Sequence, residues 1–171
     1  TLALKILGIK QQRIPGIDFS TKILEYCAKK GLKVALIGAK KEIIEKTCVN
    51  LKEKYENINI FFCHDGYFKD ESKILSELEK TAPKVLLLGV GSPRQEEIIY
   101  NYKKSLKNII MIGVGGSFDV FSGNVKRAPK FFQKAGLEWF YRLICQPERF
   151  SRMFPALPLF LIKVILNKRE S

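Results

Sequence analysis

No apolar run in this 171-residue sequence reaches the roughly 18 residues that a membrane-spanning helix requires. The nearest candidate, LPLFLIKVIL at 157 to 166, has only ten residues and is interrupted by Lys163. A segment of this kind can lie on a membrane surface, but it is too short to cross the bilayer.

The sequence also contains few residues that bind metals. Its four cysteines, Cys27, Cys48, Cys63 and Cys145, lie far apart without a C-x-x-C pair, and its single histidine is His64. This pattern is typical of reduced, mostly buried thiols in a cytosolic protein. No D-x-D pair is present to hold a divalent metal on a nucleotide diphosphate. We therefore expect neither a metal nor a cofactor.

Dinucleotide-binding and targeting signals are absent as well. The sequence has no G-x-G-x-x-G fingerprint, which argues against a nicotinamide enzyme. It begins TLALKILGIK, with no initiator Met and no signal-peptide arrangement, so it looks like a piece whose beginning is missing.

What the sequence does contain is apolar residues and positive charge. An apolar content of 46% over 171 residues is enough for one buried core. The formal net charge of +13 points to an anionic partner, namely nucleic acid, phospholipid or a phosphorylated substrate. A basic surface that is merely solvated remains the alternative explanation.

Helical and strand-like segments alternate along most of the chain, which predicts an α/β fold with a Rossmann-like parallel sheet and helices on both faces. The helix of DFSTKILEYCAKKG is expected to start at Asp18 or Ser20 as its cap and to close on Gly31. Strands are predicted at 33 to 38, 58 to 63, 84 to 90 and 108 to 114, and the intervening helices at about 40 to 54, 71 to 80 and 93 to 105.

Each predicted strand ends in glycine or a tight polar turn: IGAKK, CHDGYF, GVGSPRQEE and GVGGSFD. The carboxyl ends of parallel strands meet at one edge of a sheet, and open α/β folds bind ligands in the crevice outside that edge. Glycines there let a ligand approach the backbone or supply positive φ for the turn, which makes Gly91, Gly115 and Gly116 candidate binding residues.

Gln95 and Asp119 are the strongest polar candidates at this edge. Pro93 suits the first turn of a helix, so Arg94, Gln95 and Glu96 are expected to face the crevice. Gln95 can donate and accept at once, which suits a uracil or sugar edge, whereas the alternative is that it caps its own helix. Asp119 could hold a ribose or base, or it could simply form a turn.

The HDGYF turn supplies Tyr67 as a further candidate for substrate binding. His64 and Asp65 lie in the same turn. A lone histidine is more often structural than catalytic, and a structural role for His64 is the favoured interpretation.

A change of character near residue 137 predicts a second segment. Residues 122 to 171 hold ten Lys/Arg against three Glu, together with many aromatics. Arg142, Arg149 and Arg152 are spaced to share a helix face, although Pro147 interrupts the helix. We predict a domain over 1–136 and a helical, membrane-associated appendage over 137–171, whose arginines could face a diphosphate. A solvated arginine face is the alternative.

Six motifs in order make the sequence resemble the WecG/TagA/CpsF glycosyltransferases (family 26), most closely the TagA branch. They are RIPGIDF (13 to 19), LIGAKKE (36 to 42), HDGYF (64 to 68), LLGVGSPRQEEII (87 to 99), IGVGGSFDVFSGNVKRAP (112 to 129) and GLEWFYRLICQPERFSR (136 to 152). The resemblance implies inverting, metal-independent transfer of N-acetylmannosamine from the UDP-sugar to undecaprenyl-diphosphate-linked N-acetylglucosamine, in the linkage unit of wall teichoic acid.

The resemblance also implies roles for individual residues. Gln95 and Asp119 would contact the UDP moiety and Arg13 would line the pocket, while Arg142, Arg149 and Arg152 would close over the active site and neutralise the leaving UDP. The general base of the family lies ahead of the first residue here, so these 171 residues alone are expected to be inactive. A peripheral position on the cytoplasmic membrane face and self-association are implied as well.

Two other classes of protein compete with the transferase. A basic nucleic-acid-binding module would explain the charge, and would bind with a steep salt dependence and no preference for UDP. Its weakness is that the aromatics cluster with aliphatic residues as a hydrophobic surface, so we expect no nucleic-acid partner. A methyltransferase or dehydrogenase would fit the fold but lacks the glycine fingerprint. The exact donor sugar is left open by the sequence.

Overall fold

The computed structural model describes Gly8, residues 14–145 and residues 156–167. The chain divides into two compact units, Pro15–Lys126 on its own and Thr1–Ile14 together with Arg127–Ser171. The expected domain boundary between residues 136 and 137 stays a prediction.

The unit Pro15–Lys126 contains four strands and five helices among its residues, all of which are described. They are α1 (Gly16–Lys30), β1 (Lys33–Gly38), α2 (Lys41–Lys54), β2 (Asn59–His64), α3 (Glu71–Thr81), β3 (Val85–Gly89), α4 (Arg94–Tyr102), β4 (Ile110–Gly113) and α5 (Ser117–Phe121). In the other unit the described helices are α6 (Lys130–Ala135), α7 (Glu138–Cys145) and α8 (Ala156–Asn167).

The four strands form one parallel sheet in the order β2-β1-β3-β4. Its centre is the pairing of β1 with β3, in which Leu36 lies opposite Leu87. Both central strands are apolar without alternation, as expected for strands that are covered on both faces. The predicted α/β fold with a parallel sheet is therefore confirmed.

The central strand β1 divides its side chains between two cores. Val34 and Leu36 pack in a cluster with residues of α1, α2 and α5. Ala35 and Ile37 pack in a second cluster with residues of α3 and α4. Successive side chains of a strand point to opposite faces, so helices lie on both faces of the sheet, as predicted.

The start of α1 differs from the prediction. The helix begins at Gly16, and the first intrahelical bonds run from the N–H groups of Asp18 and Phe19 to Pro15 O. Ser20 instead donates its hydroxyl to Gly16 O from inside the helix. The prediction of Asp18 or Ser20 as the cap is wrong, because Pro15 is the N-cap residue, with an extended backbone (φ −61°, ψ 135°), and the helix begins directly after it.

The helix α4 is shorter than the predicted span to residue 105. After Tyr102 the chain tightens into a turn, in which the N–H groups of Ser105 and Leu106 donate to Tyr102 O. The turn brings Leu106 into the core at 4% exposure. Burial of the Leu106 side chain contributes about 2 kcal/mol, which favours the turn over a continuation of α4 beyond Tyr102.

Among the described residues, the outer strands β2 and β4 each pair with one strand only. Phe61 and Cys63 in β2 and Ile110 in β4 are exposed. An apolar run at a sheet edge can therefore leave alternate side chains in solvent, which the run alone does not reveal.

The burial of the cysteines also departs from the prediction. All four are free thiols, but only Cys27 is buried, whereas Cys48 is half-buried and Cys63 and Cys145 are exposed. The prediction of mostly buried thiols is wrong, because Cys63 lies on an edge strand.

Among the described residues, no helix is both long and apolar enough to cross a membrane.

The carboxyl ends of β1 and β3 approach each other very closely. A Cβ atom on Gly38 would lie 2.5 Å from the carbonyl carbon of Gly89. A Cβ atom on Gly89 would lie 2.5 Å from Cδ2 of Phe118, which is fully buried in α5. Only glycine fits at position 89, because any larger residue would push away either the neighbouring backbone or the Phe118 ring.

We expect Gly89→Ala to lower the free energy of unfolding by about 2 kcal/mol, because the added methyl group overpacks the contact with Phe118. Gly16→Ala is the matched control, since a Cβ atom there meets no heavy atom within 4 Å. The midpoints of urea unfolding measure both changes. Equal midpoints for the two variants would contradict the packing described at Gly89.

Candidate functional site at the carboxyl edge of the sheet

The order of the strands marks one place at the carboxyl edge. The chain leaves β1 toward β2 on one side and leaves β3 toward β4 on the other. The connections therefore diverge between the carboxyl ends of β1 and β3, where open α/β sheets form their ligand crevice. The loops at this point begin at Gly38 and Gly89, and both belong to the unit Pro15–Lys126.

Gln95 lies in the first turn of α4, directly after the loop from β3. Its side chain is buried at 9% exposure. Oε1 accepts a hydrogen bond from Gly115 N at 3.1 Å, and Nε2 donates to Glu96 Oε1 at 2.8 Å. The alternative that Gln95 caps its own helix is not observed, because no side chain caps the start of α4. The amide instead links the first turn of α4 to the loop after β4.

The orientation of the Gln95 amide is fixed by these neighbours. Because Gln95 donates to the Glu96 carboxylate, the pKa of Glu96 is lowered, so the acceptor stays ionised at neutral pH. Gly113 lets the amide pack closely, since a Cβ atom there would lie 2.7 Å from Nε2. The two bonds use one of the two N–H donors and one of the two acceptor lone pairs of the amide. The amide is therefore held in one orientation by Gly115 and Glu96.

Arg94, which was predicted to face the crevice, has a structural task instead. Its Nη1 donates to Gly66 O at 2.9 Å and its Nη2 donates to Phe68 O at 3.0 Å. The guanidinium also lies over the Phe68 ring, 4.6 Å from the centroid. Arginine suits this position because its planar fork can satisfy two carbonyl groups and stack at the same time. The loop after β2 is thereby held against the start of α4.

The loop after β2 presents Tyr67 to solvent, with 69% of the residue exposed. Tyr67 N donates to Asp65 Oδ1 at 2.7 Å, which closes a tight turn. His64 Nδ1 donates to Asp65 O at 2.9 Å, and its ring stacks on Phe62. These contacts support the structural interpretation of His64, and they leave the Tyr67 ring projecting from a well-anchored turn.

Asp119 is the third residue of α5, just beyond the end of β4. Its carbonyl oxygen accepts from Val125 N at 2.9 Å and from Ser122 Oγ at 3.0 Å, so its backbone organises the following turn. Asp119 is half-buried. Gly116 directly precedes α5, and the candidate glycines Gly91 and Gly115 have φ of 86° and 49°.

The short helix α5 is anchored by α2, which sequence reasoning missed. Thr47 Oγ1 donates to Phe118 O at 3.1 Å, and Asn50 Nδ2 donates to Phe121 O at 2.9 Å. Phe118 O also accepts from Ser122 N at the end of α5, so Thr47 is a second donor there, whereas Asn50 reaches a carbonyl group in the last residue of the helix. A polar residue on the inner side of an amphipathic helix, such as the fully buried Thr47, was the only available signal.

The sequence profile of the Glycosyl transferase WecG/TagA/CpsF family matches residues 1–171. The chain belongs to this family. The resemblance carried by the six sequence motifs is thereby confirmed.

Two curated members of the WecG/TagA/CpsF family illustrate the similarity, and both are named N-acetylglucosaminyldiphosphoundecaprenol N-acetyl-beta-D-mannosaminyltransferase. The protein of Bacillus subtilis (strain 168) is 40% identical over 160 residues, and that of Bacillus spizizenii (strain ATCC 23059 / NRRL B-14472 / W23) is 38% identical over 161. The alignments cover 94% of this chain and 62% of each relative.

Several family residues lie outside the part that the structure describes. Arg13, Arg149 and Arg152 are not among the described residues, so their roles stay predictions. Arg142 is part of the helix α7, but its side chain is not among the described ones. Glu138, which starts α7, has Oε1 3.7 Å from Arg127 Nε.

Within the described ranges, no group of three or more His, Cys, Asp or Glu side chains could hold a metal ion.

Proposed function

We propose that this protein transfers N-acetylmannosamine from UDP-N-acetylmannosamine to undecaprenyl-diphosphate-linked N-acetylglucosamine, with inversion and without a metal, in the synthesis of the wall teichoic acid linkage unit. Membership of the WecG/TagA/CpsF family and the printed activity of the two Bacillus relatives support this proposal. The chain spans 62% of the length of those relatives.

The observation that carries the proposal is the pre-oriented amide of Gln95. It lies at the carboxyl edge, beside the point where the strand connections diverge, and two neighbours fix its direction. A fixed amide recognises a uracil or sugar edge at little entropic cost, because no rotamer has to be frozen on binding. We assign the UDP moiety to this edge, in contact with Gln95 and Asp119 and with the loop glycines Gly91, Gly115 and Gly116.

Tyr67 completes the donor site in this proposal. Its exposed ring offers a flat apolar face, and the anchored turn keeps that face in one place. Aromatic faces bind the apolar face of a sugar or base at low entropic cost, because few torsions have to be ordered. In our proposal, the Tyr67 ring holds one part of the donor and Gln95 holds another.

The transfer itself is a single displacement. The acceptor hydroxyl attacks the anomeric carbon on the face opposite UDP, the bond from that carbon to the UDP oxygen breaks, and the hydroxyl proton passes to a base. No residue of this chain is assigned as that base. The developing charge on UDP is neutralised in our proposal by Arg142, Arg149 and Arg152, with Arg13 as a further pocket residue. Guanidinium groups can take the electrostatic role of a metal because they match phosphate oxygens bidentately.

A membrane surface is the proposed location of the lipid-linked acceptor and of the enzyme, on the cytoplasmic face. The helix α8 supports this, because Leu159, Phe160, Ile162 and Leu166 are each about half exposed. Lys163 lies on the same stretch and is exposed. Apolar side chains that enter the interface, next to a lysine that meets anionic headgroups, are typical of a surface-bound helix. Apolar surface of this kind also favours self-association, which we include in the proposal.

We expect UDP to bind saturably, with no effect of EDTA, and Gln95→Ala to weaken the binding at least tenfold, or about 1.4 kcal/mol. Glu97→Ala is the matched control because it truncates an exposed neighbour in the same turn, and it should change Kd by less than about twofold. Calorimetric titration with UDP and UDP-N-acetylmannosamine measures both. Equal affinity of the folded Gln95→Ala variant and the wild type would remove Gln95 from the site.

Salt-sensitive binding of single-stranded DNA without UDP binding would favour the basic nucleic-acid module.

We expect Phe160→Asp to weaken binding to vesicles that contain an anionic phospholipid, because a carboxylate in the interface opposes both burial and the headgroup charge. Tyr26→Asp is the matched control, since Tyr26 on α1 has 55% exposure against 53% for Phe160. Co-sedimentation with vesicles measures the bound fraction. If both variants bind like the wild type, α8 does not carry the membrane contact.

A further inference from the structure

Two of the free thiols lie side by side. Cys48 Sγ and Cys63 Sγ are 2.7 Å apart, although the residues are separated by 15 positions in the chain. Cys48 is in α2 and Cys63 is in the edge strand β2. Neither residue takes part in the proposed transfer, and neither belongs to a recognised sequence motif.

The fold holds both sulfur atoms in this arrangement. Cys48 packs against the core cluster that α2 shares with β1, and it is next to Thr47, which bonds to α5. Cys63 is paired with Leu36 of β1, and its Sγ also lies 3.9 Å from Ile44 O in α2. The two thiols therefore meet because the helix α2 packs on the edge strand β2. Neither thiol lies in a loop.

The short contact shifts the pKa values of the two thiols in opposite directions. The hydrogen bond from Cys63 lowers the pKa of Cys48, and Lys52 acts in the same direction, whereas burial and Glu45 oppose it. The same hydrogen bond and burial raise the pKa of Cys63. Of the two sulfur atoms, Cys48 is therefore the one whose thiolate is favoured. A thiolate beside a second thiol is the arrangement in which an oxidised sulfur is trapped as a disulfide.

We propose that Cys48 and Cys63 are a site of reversible oxidation, at which a peroxide converts the two thiols into one disulfide between α2 and β2.

The chemistry of this step balances with the peroxide as the only oxidant. The Cys48 thiolate attacks one peroxide oxygen, the O–O bond breaks, and the departing hydroxide takes up a proton to become water, which leaves a sulfenic acid on Cys48. The Cys63 sulfur then attacks the Cys48 sulfur, the S–O bond breaks, and a second water leaves with the Cys63 proton. Two electrons pass from the thiols to the peroxide. A thiol reductant reverses the step by exchange.

The disulfide would connect two parts of the scaffold beneath the carboxyl edge. Cys63 directly precedes His64, where the loop that carries Tyr67 begins, and α2 anchors α5 through Thr47 and Asn50. A disulfide has an S–S distance of about 2.05 Å, so the thiols need to move by less than about 1 Å to form it. We therefore expect oxidation to stabilise the fold without rearranging the site.

The test uses Cys145→Ser as the parent, because Cys145 is exposed and could form disulfides between molecules. The parent retains three of the four cysteines, and only Cys27 lies outside the pair. After treatment with hydrogen peroxide, we expect the denatured parent to show one free thiol in place of three, and peptide mapping to find Cys48 linked to Cys63. The midpoint of thermal unfolding (Tm) should rise by about 5–10 °C, and dithiothreitol should restore the original Tm and the original number of free thiols.

Cys48→Ser in the same background is the control, with two free thiols retained and no rise in Tm. Three free thiols after excess peroxide, sulfinic acid on Cys48 without a crosslink, or crosslinks only between molecules would each overturn the proposal. Should Cys48→Ser fail to fold, thiol counting and peptide mapping on the parent decide the question alone. UDP binding by the oxidised parent reports separately on the transferase site, so failure of one proposal is distinguishable from failure of the other.

Discussion

The contact between Gly38, Gly89 and Phe118 is the constraint from which the site follows. The two central strands can end this close together only because Gly38 lacks a side chain. The buried ring of Phe118 then packs against Gly89, and this packing holds α5 beside the end of β3. The helix α2 also holds α5 in place, because the side chains of Thr47 and Asn50 donate hydrogen bonds to backbone carbonyl groups of α5. The packed ends of β1, β3 and α5 thus support the loops at the carboxyl edge of the sheet.

This arrangement suits a donor site that relies on fixed dipoles. Gln95 is oriented by Gly115 and Glu96, and Arg94 immobilises the loop that presents Tyr67. Preorganised polar groups stabilise a charged ligand without reorganising at the moment of reaction, which is where their catalytic value lies. In our account the strong positive charge needed for a departing diphosphate is supplied by the arginines of residues 137–171.

The sequence predicted the features that depend on local pattern and missed those that depend on packing partners. The strand Lys33–Gly38 was predicted to the residue, because an apolar run between two glycines has few other solutions. The position of Gln95 at the edge followed from the turn before α4. The role of Arg94 in holding the loop after β2 could not be predicted, since its partners are backbone carbonyl groups of that loop. The Cys48 and Cys63 pair likewise depends on how a helix packs on an edge strand, which no spacing in the sequence encodes.

The most direct test of the central claim is an amide chemical-shift titration of the isotope-labelled protein with UDP. If one uridine diphosphate lies at the carboxyl edge, the amides of Ala39, Gly91, Gly115 and Asp119 shift together and fit a single Kd. Shifts that are confined to α6, α7 and α8, or that never saturate at these four positions, would contradict the account.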